Sequence, residues 1–230
     1  MHKPMYHVKK SIRRPAAKLV AAYRGISPAT VYEVMGKRGA MNSTIRPIYS
    51  GMRVCGPAVT VRAHIGDSLI ILKSITVAEP GDVIVADVGD SSEAVCWGGT
   101  SSTAAKSRGI EGFVCNGMIR DGQQVKELAF PVFARGLSVK GTVKETLGWI
   151  NHSISVGGVT VTPGDLVLGN DDGVVAIAGD LAEELLPACL EFEEKTRKSE
   201  KRMSEGESVL QVLGFDKLLR EKGLTEEGVD

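Results

Sequence analysis

From Pro15 the apolar positions return every three or four residues, at Leu19, Val20, Tyr23 and Ile26, the spacing of one helical face. Ser27-Pro28 then supplies an N-cap with proline at the first helical position, so a second helix is expected through Val31 to Met35. Residues 36–53 are rich in glycine and basic side chains and read as a loop leading to a strand. The period changes at 58–63 (Ala-Val-Thr-Val-Arg-Ala), a strand, and Asp67 is placed to cap a helix carrying Leu69, Ile70, Leu72 and Ile75. Pro80-Gly81-Asp82 reads as a type II turn feeding the strand 83–86. The same device returns at Pro163-Gly164-Asp165, ahead of Leu166-Val167-Leu168.

Between these two turns the pattern gives a helix (about 99–108), a strand (112–115), a helix (about 122–129) and a strand (132–134). Alternating strands and helices predict an α/β layered sheet. Residues 153–178 carry strands and glycine turns instead, which implies two sheet layers with helices covering one side. Asp180-Leu181-Ala182-Glu183 has the form of a capping box opening a last long helix. The first half of that helix is apolar; the second, 191–201, is charged with both signs and reads as a solvated face or as an arm reaching a neighbouring subunit. Residues 1–14 form a polar arm, and 209–219 a short amphipathic helix.

A chain of 230 residues with 43% hydrophobic content can bury one sizeable core. A single domain is therefore expected over 1–230, with an arm (1–14), a core (15–205) and a tail (206–230). Lys plus Arg and Asp plus Glu both number 28, so the chain lacks the basic excess of a nucleic-acid binder, and little net charge opposes self-association. Cys55, Cys96, Cys115 and Cys189 form no Cys-x-x-Cys pair, which suits reduced thiols in a cytoplasmic protein and lacks the ligand spacing of a structural zinc site. The basic N-terminus has no apolar stretch to make a signal peptide, and no run of 18 apolar residues occurs, so no membrane association is expected.

Two segments could carry chemistry. Asn116-Gly117-Met118-Ile119-Arg120-Asp121 follows an apolar strand and precedes a helix, where α/β sheets collect ligands. Arg120 offers a planar fork for a carboxylate, and Asp121 offers hard oxygen for Mg²⁺. The same residues also fit a helix-capping Asp beside a surface Arg. Upstream, Gly98 and Gly99 open a helix followed by Thr100, Ser101, Ser102 and Thr103, a stretch able to present N–H and hydroxyl donors to an anion, or simply to pack closely. Neither a Walker motif nor a Gly-x-Gly-x-x-Gly loop is present, so no nucleotide cofactor is expected. His7, His64 and His152 have no partner at ligand spacing. Asp87, Asp90, Asp171 and Asp172 read as turn formers, and no serine sits in a Gly-x-Ser-x-Gly elbow.

Taken together, the two segments resemble the 4-hydroxy-4-methyl-2-oxoglutarate aldolase and RraA-like family. The matching pieces are Trp97-Gly98-Gly99 with Ala104-Ala105-Lys106-x-Arg108-Gly109, and Gly112 with Gly117-x-x-Arg120-Asp121. Phe130 to Gly136, Gly141 to Thr146, Gly157-Gly158-Val159-x-Val161-x-Pro163-Gly164-Asp165 and Asp171 to Val175 complete the likeness, which spans about residues 25–210. The resemblance implies an α/β fold, a β/β/α sandwich of the swivelling-domain type with N-terminal helices and a long C-terminal helix. It implies homotrimers or hexamers with sites between subunits. It also implies that Asp121 binds Mg²⁺ or Mn²⁺, that Arg120 holds a small 2-oxo acid, and that the loop of Gly98, Gly99, Thr100 and Ser101 receives its carboxylate. The expected activity is carbon–carbon lysis giving pyruvate, as an aldolase, an oxaloacetate decarboxylase or both. Two departures stand out. The family's aldolases generally carry an acid where this chain has Gly99, and a glutamate from the neighbouring subunit's helix at the position of Thr196, near Glu193, Glu194 and Glu200. Retro-aldol cleavage needs a base for the substrate hydroxyl, whereas decarboxylation of a β-keto acid needs chiefly an electron sink. Decarboxylation is therefore expected to survive better. The family also contains RraA, a non-catalytic regulator of ribonuclease E, which is the alternative expectation.

Overall fold

The computed structural model describes residues 6–225. It divides into two compact units, residues 1–186 and 187–230. In chain order the elements are β1 (His7–Val8), α1 (Ala17–Tyr23), α2 (Pro28–Val34), β2 (Arg46–Pro47), β3 (Val54–Arg62), α3 (Leu69–Ile75), β4 (Val83–Asp87), β5 (Val95–Trp97) and α4 (Gly99–Ser107). There follow β6 (Gly112–Cys115), β7 (Met118–Ile119), α5 (Gly122–Glu127), β8 (Val132–Ala134), β9 (Gly136–Leu137), β10 (Trp149–Ile150), β11 (Ile154–Val156), β12 (Val159–Val161), β13 (Leu166–Asn170) and β14 (Gly173–Ile177). The last elements are α6 (Ala182–Ser204), α7 (Val209–Leu213) and α8 (Phe215–Glu221).

The α/β reading holds. β3, β4, β6 and β8 run parallel in that order, joined by crossovers through α3, α4 and α5. Parallel strands covered on both faces read as continuous apolar runs, and β4 and β6 are buried almost throughout. The pleat sends alternate residues of β4 to opposite cores. Ile84 and Ala86 join Ile71, Ile75, Ala105 and Val125 from the helices. Val83 and Val85 join Ile154, Val156, Val161 and Val174 from the later strands. Helices thus cover one face of the parallel strands and β-structure the other.

A smaller parallel sheet, β5-β7-β9, sits one step further along the chain from β4-β6-β8 and keeps their order. Both Pro-Gly-Asp turns use the same device. Gly81 and Gly164 adopt φ of 89° and 91°, which favours glycine. The Asp82 and Asp165 carboxylates accept the N–H groups of Glu79 and Thr162, three residues back, at 2.8 and 2.7 Å.

Several boundaries differ from the sequence reading. The described part of the arm is docked rather than free: β1 pairs with β10, and Arg14 makes two 2.8 Å bonds to the Asp82 carboxylate. The arm's first five residues and the tail's last five lie outside the described residues. β3 starts four residues early, because its first half pairs with β13 while its second half pairs with β10. The capping box at Asp180 does not form as expected. The Leu185 N–H donates to the carbonyl of Leu181, so Leu181 occupies the cap position. The tail helix is two helices, α7 and α8, parted at Gly214 with φ of 72°. On α6, Glu194 pairs with Arg197 and Lys198 along the same helix, as a solvated face does. All four cysteines are buried thiols outside any disulfide.

Candidate active site

The site forms where the small sheet hands over to two helices. Trp97 stacks on Phe113 with ring centroids 4.0 Å apart, and its indole N–H donates to Ser102 Oγ at 2.8 Å. Ser102 in turn donates to the carbonyl of Gly98, so the glycine turn is held by a buried aromatic and a buried hydroxyl. Arg120 directly follows β7, and its N–H donates to the carbonyl of Trp97, which brings the two predicted segments side by side. Beneath them, Asn116 is buried and bridges strand ends: its Oδ1 accepts from the Val88 N–H and its Nδ2 donates to Asp87.

Asp121 holds a left-handed conformation (φ 58°, ψ 38°), which costs a non-glycine residue about 1–3 kcal/mol. Its side chain makes no capping bond to α5, which removes the simple cap reading. One oxygen, Oδ2, instead accepts the N–H of Gly99 at 3.2 Å and lies 3.5 Å from Arg120 Nε. The other, Oδ1, takes no hydrogen bond among the described residues. Arg120 and Asp121 are nearly half exposed, at 46% and 42% of their side-chain surface. A Cβ on Gly98 would stand 2.9 Å from Asp121 Oδ2 and 3.1 Å from Arg120 Cγ, so the close approach depends on glycine.

These groups line a cleft of about 180 Å³. Gly98, Thr100, Ser101, Arg120 and Asp121 border it as the sequence reading placed them. Gly99 does not. Its N–H is used by Asp121, and a side chain there would meet Gln124, whose Oε1 stands 1.9 Å from the ideal Cβ position.

Sequence reasoning missed Ser68, Thr142 and Lys144, which also line the cleft. The signal was present, because Lys144 lies inside a family-like stretch and Asp67 was singled out as a cap. The N-cap of α3 is Ser68 rather than Asp67, but Asp67, one residue earlier, accepts the Leu69 N–H at 2.8 Å. Its other oxygen accepts the backbone N–H groups of Glu145 and Thr146 and the Thr146 hydroxyl, all within 2.8 Å. Burial alone would raise the Asp67 pKa, but these donors outweigh it and hold the carboxyl below its ordinary value. Ser68 Oγ and Thr142 Oγ1 are 2.9 Å apart, closing the clasp.

Among the described residues no group of three or more His, Cys, Asp or Glu stands together. The donor set still suits a hard divalent ion: Asp121 offers a free carboxylate oxygen on an open cleft, and Mg²⁺ keeps several waters and takes few protein ligands.

An α/β scaffold presenting one open carboxylate, a guanidinium and a hydroxyl-rich loop at its strand ends makes a candidate site for a small anionic ligand. The chain belongs to the RraA-like family (Aldolase/RraA), which matches residues 28–176. A relative from Halalkalibacterium halodurans, named "Putative 4-hydroxy-4-methyl-2-oxoglutarate aldolase", is 40% identical over 168 residues, covering 73% of this chain and 80% of that one. Streptomyces coelicolor RraAS2, described as an unusual member of the RNase ES inhibitor RraA protein family, superposes with a TM-score of 0.73 at 28% identity, over 82% of this chain and all of that one. An uncharacterised Pseudomonas syringae protein shares the fold, with a TM-score of 0.77 at 23% identity over 88% of this chain and 95% of that one.

Proposed function

We propose that this chain is a divalent-metal-dependent carbon–carbon lyase acting on small 2-oxo acids. The observation that carries the reading is the Asp121 carboxylate, clamped through one oxygen by Gly99 and Arg120 and left open through the other on a cleft lined by donors. Asp121 would hold Mg²⁺ or Mn²⁺, and the bound ion would supply Lewis-acid polarisation of the keto oxygen. Arg120 adds fixed positive charge where the departing fragment leaves an enolate, and such a preorganised donor is commonly worth roughly 3–4 kcal/mol of barrier. Thr100 and Ser101 orient the 2-oxo acid's carboxylate. Lys144, which lines the same cleft, would meet a second carboxylate, which favours dicarboxylic substrates such as oxaloacetate or 4-hydroxy-4-methyl-2-oxoglutarate.

Asp121 is the one carboxylate among the residues lining the cleft, and with Gly99 in place of an acid no second one is at hand as base. Decarboxylation is therefore the better supported reaction. Assays of the purified chain with Mg²⁺ on both substrates test this: fast aldol cleavage with feeble decarboxylation would refute it.

The family's homotrimer or hexamer is the proposed assembly. Supporting it, Leu137 on β9 and Val139, Val143 and Leu147 in the stretch that follows are large aliphatic side chains left exposed. A swivelling-type β/β/α sandwich and a cytoplasmic setting complete the reading; no helix of the described residues is long and apolar enough to cross a membrane. The Streptomyces neighbour favours a second reading, a non-catalytic binding partner of a ribonuclease. Calorimetry with Mg²⁺ and oxalate separates the two, since a regulator with no metal site would give no heat.

A further inference from the structure

The chain's balance of 28 basic and 28 acidic residues conceals a local excess. Three segments far apart in the sequence, 6–14, 58–64 and 148–153, hold five Lys or Arg and no Asp or Glu. The sheet brings them together. His7 on β1, Trp149 on β10 and Arg62 on β3 are register partners, one row across three adjacent strands. Their chain neighbours Val8, Ile150 and Val61 turn into the helix-side core, so alternation puts His7, Trp149 and Arg62 on the opposite face. That face is open at this edge: Tyr6, His7 and Arg62 are exposed, and Trp149 is half-buried.

The row is held by its own contacts. Arg62 Cζ lies 5.8 Å from the Trp149 ring centroid, and Tyr6 packs on the same indole with centroids 5.4 Å apart and a tilt of 54°. A 3.1 Å hydrogen bond between His7 Nδ1 and His152 Nε2 fixes the His7 ring. Lys9, two positions beyond His7, shares its face, and Lys10 and Arg13 follow, both exposed. Arg14 is neutralised by Asp82 and Glu79, but among the described residues Lys9, Lys10, Arg13 and Arg62 form no ion pair. The row's one acid is Asp87, the register partner of Arg62 on β4, and its Oδ1 is taken by the Gly89 N–H and the Asn116 amide.

We propose that this edge of the sheet binds single-stranded nucleic acid without strong sequence preference. A flat strand surface with exposed rings among unpaired cations matches that partner: Lys9, Lys10, Arg13 and Arg62 meet phosphates, while Tyr6 and His7 stack on unpaired bases. An acidic peptide would use the cations and leave the rings idle. A duplex keeps its base faces stacked away from them. The surface shares no residue with the cleft, so it stands apart from the lyase reading.

The test titrates the full chain into a labelled oligouridine of about 12 nucleotides, read by fluorescence anisotropy. Quenching of Trp149 is a second readout, because the other tryptophan, Trp97, is buried. At about 50 mM salt the expected Kd is about 10⁻⁴–10⁻⁶ M, and log K should fall against log salt with a slope of about −2, from about three phosphate contacts. Lys9→Glu with Lys10→Glu should weaken binding about tenfold or more. Lys198→Glu with Lys201→Glu, the same change of charge on α6, should leave it within about twofold. Tyr6→Ala should cost about fivefold or more, and that loss should persist at high salt, where the charge effect fades. The melting temperatures of both lysine pairs should stay with the wild type, since those side chains are exposed. No binding at low salt, equal losses from the two lysine pairs, or a duplex bound as well as the single strand would overturn the proposal. So would polyglutamate bound as tightly as the oligouridine, which would point to an acidic protein partner instead.

Discussion

Replacing Asp67 with alanine tests whether one buried carboxylate both stabilises the fold and places Lys144. Asp67 is 1% exposed and accepts four hydrogen bonds, three of them from residues 145–146. Hydrogen bonds to a charged acceptor contribute about 1.5–3 kcal/mol each. Glu145 is exposed and Thr146 half-buried, so their donors return to water when the carboxylate goes, and most of that sum is regained. The net loss expected is about 3 kcal/mol, dominated by the buried end of the clasp. For a unit of this size that lowers the melting temperature by roughly 6–12 °C, readable by circular dichroism. The loop carrying Lys144 should loosen with it, raising KM for a dicarboxylic substrate more than it lowers kcat. The acid limb adds a sign. The Asp67 carboxyl is held below its ordinary value, so its stabilisation is fully present above the unfolded pKa of about 4 and fades as pH falls through the folded one. The gap between wild type and Asp67→Asn should therefore narrow below about pH 4. A loss under about 1 kcal/mol with unchanged KM would refute the clasp, since it is no more than one ordinary hydrogen bond is worth.

Other outcomes are as specific. Asp121→Asn should abolish Mg²⁺-dependent turnover and the calorimetric signal for Mg²⁺ with oxalate, while leaving the far-ultraviolet spectrum intact. Arg120→Lys keeps the charge but loses the planar fork, and kcat should fall about 10²–10³-fold in steady-state assays. Gly98→Ala would place a methyl 2.9 Å from Asp121 Oδ2, and the displaced carboxylate should cost about 10²-fold in kcat/KM with little change in melting temperature. Val143→Glu, on the exposed loop beside the cleft, should shift the protein toward monomers in light scattering if copies pack there.

Much of the fold was legible because its signals are local. Apolar runs at 83–86 and 112–115 identify strands buried on both faces, and β4 and β6 appear there. Pro-Gly-Asp turns repeat because a left-handed glycine and an aspartate accepting from three residues back are encoded within a few positions. The misjudged elements depend on distant partners. The arm reads as polar, yet it docks because Asp82 and β10 stand where it passes. Likewise the start of β3 is set by β13, more than a hundred residues later.

The site divides in the same way. By itself the sequence determined that Arg120 and Asp121 fall between a buried strand and a helix, because adjacency in the chain is a property of the residues present. Which oxygen of Asp121 is engaged, that Gln124 rather than a residue-99 side chain fills the space beside Gly99, and that Lys144 lines the same cleft as Arg120 were decided by tertiary structure alone. So was the meeting of His7 with His152. Through-space contacts between distant segments are chosen by how the whole core packs, and no local spacing records them.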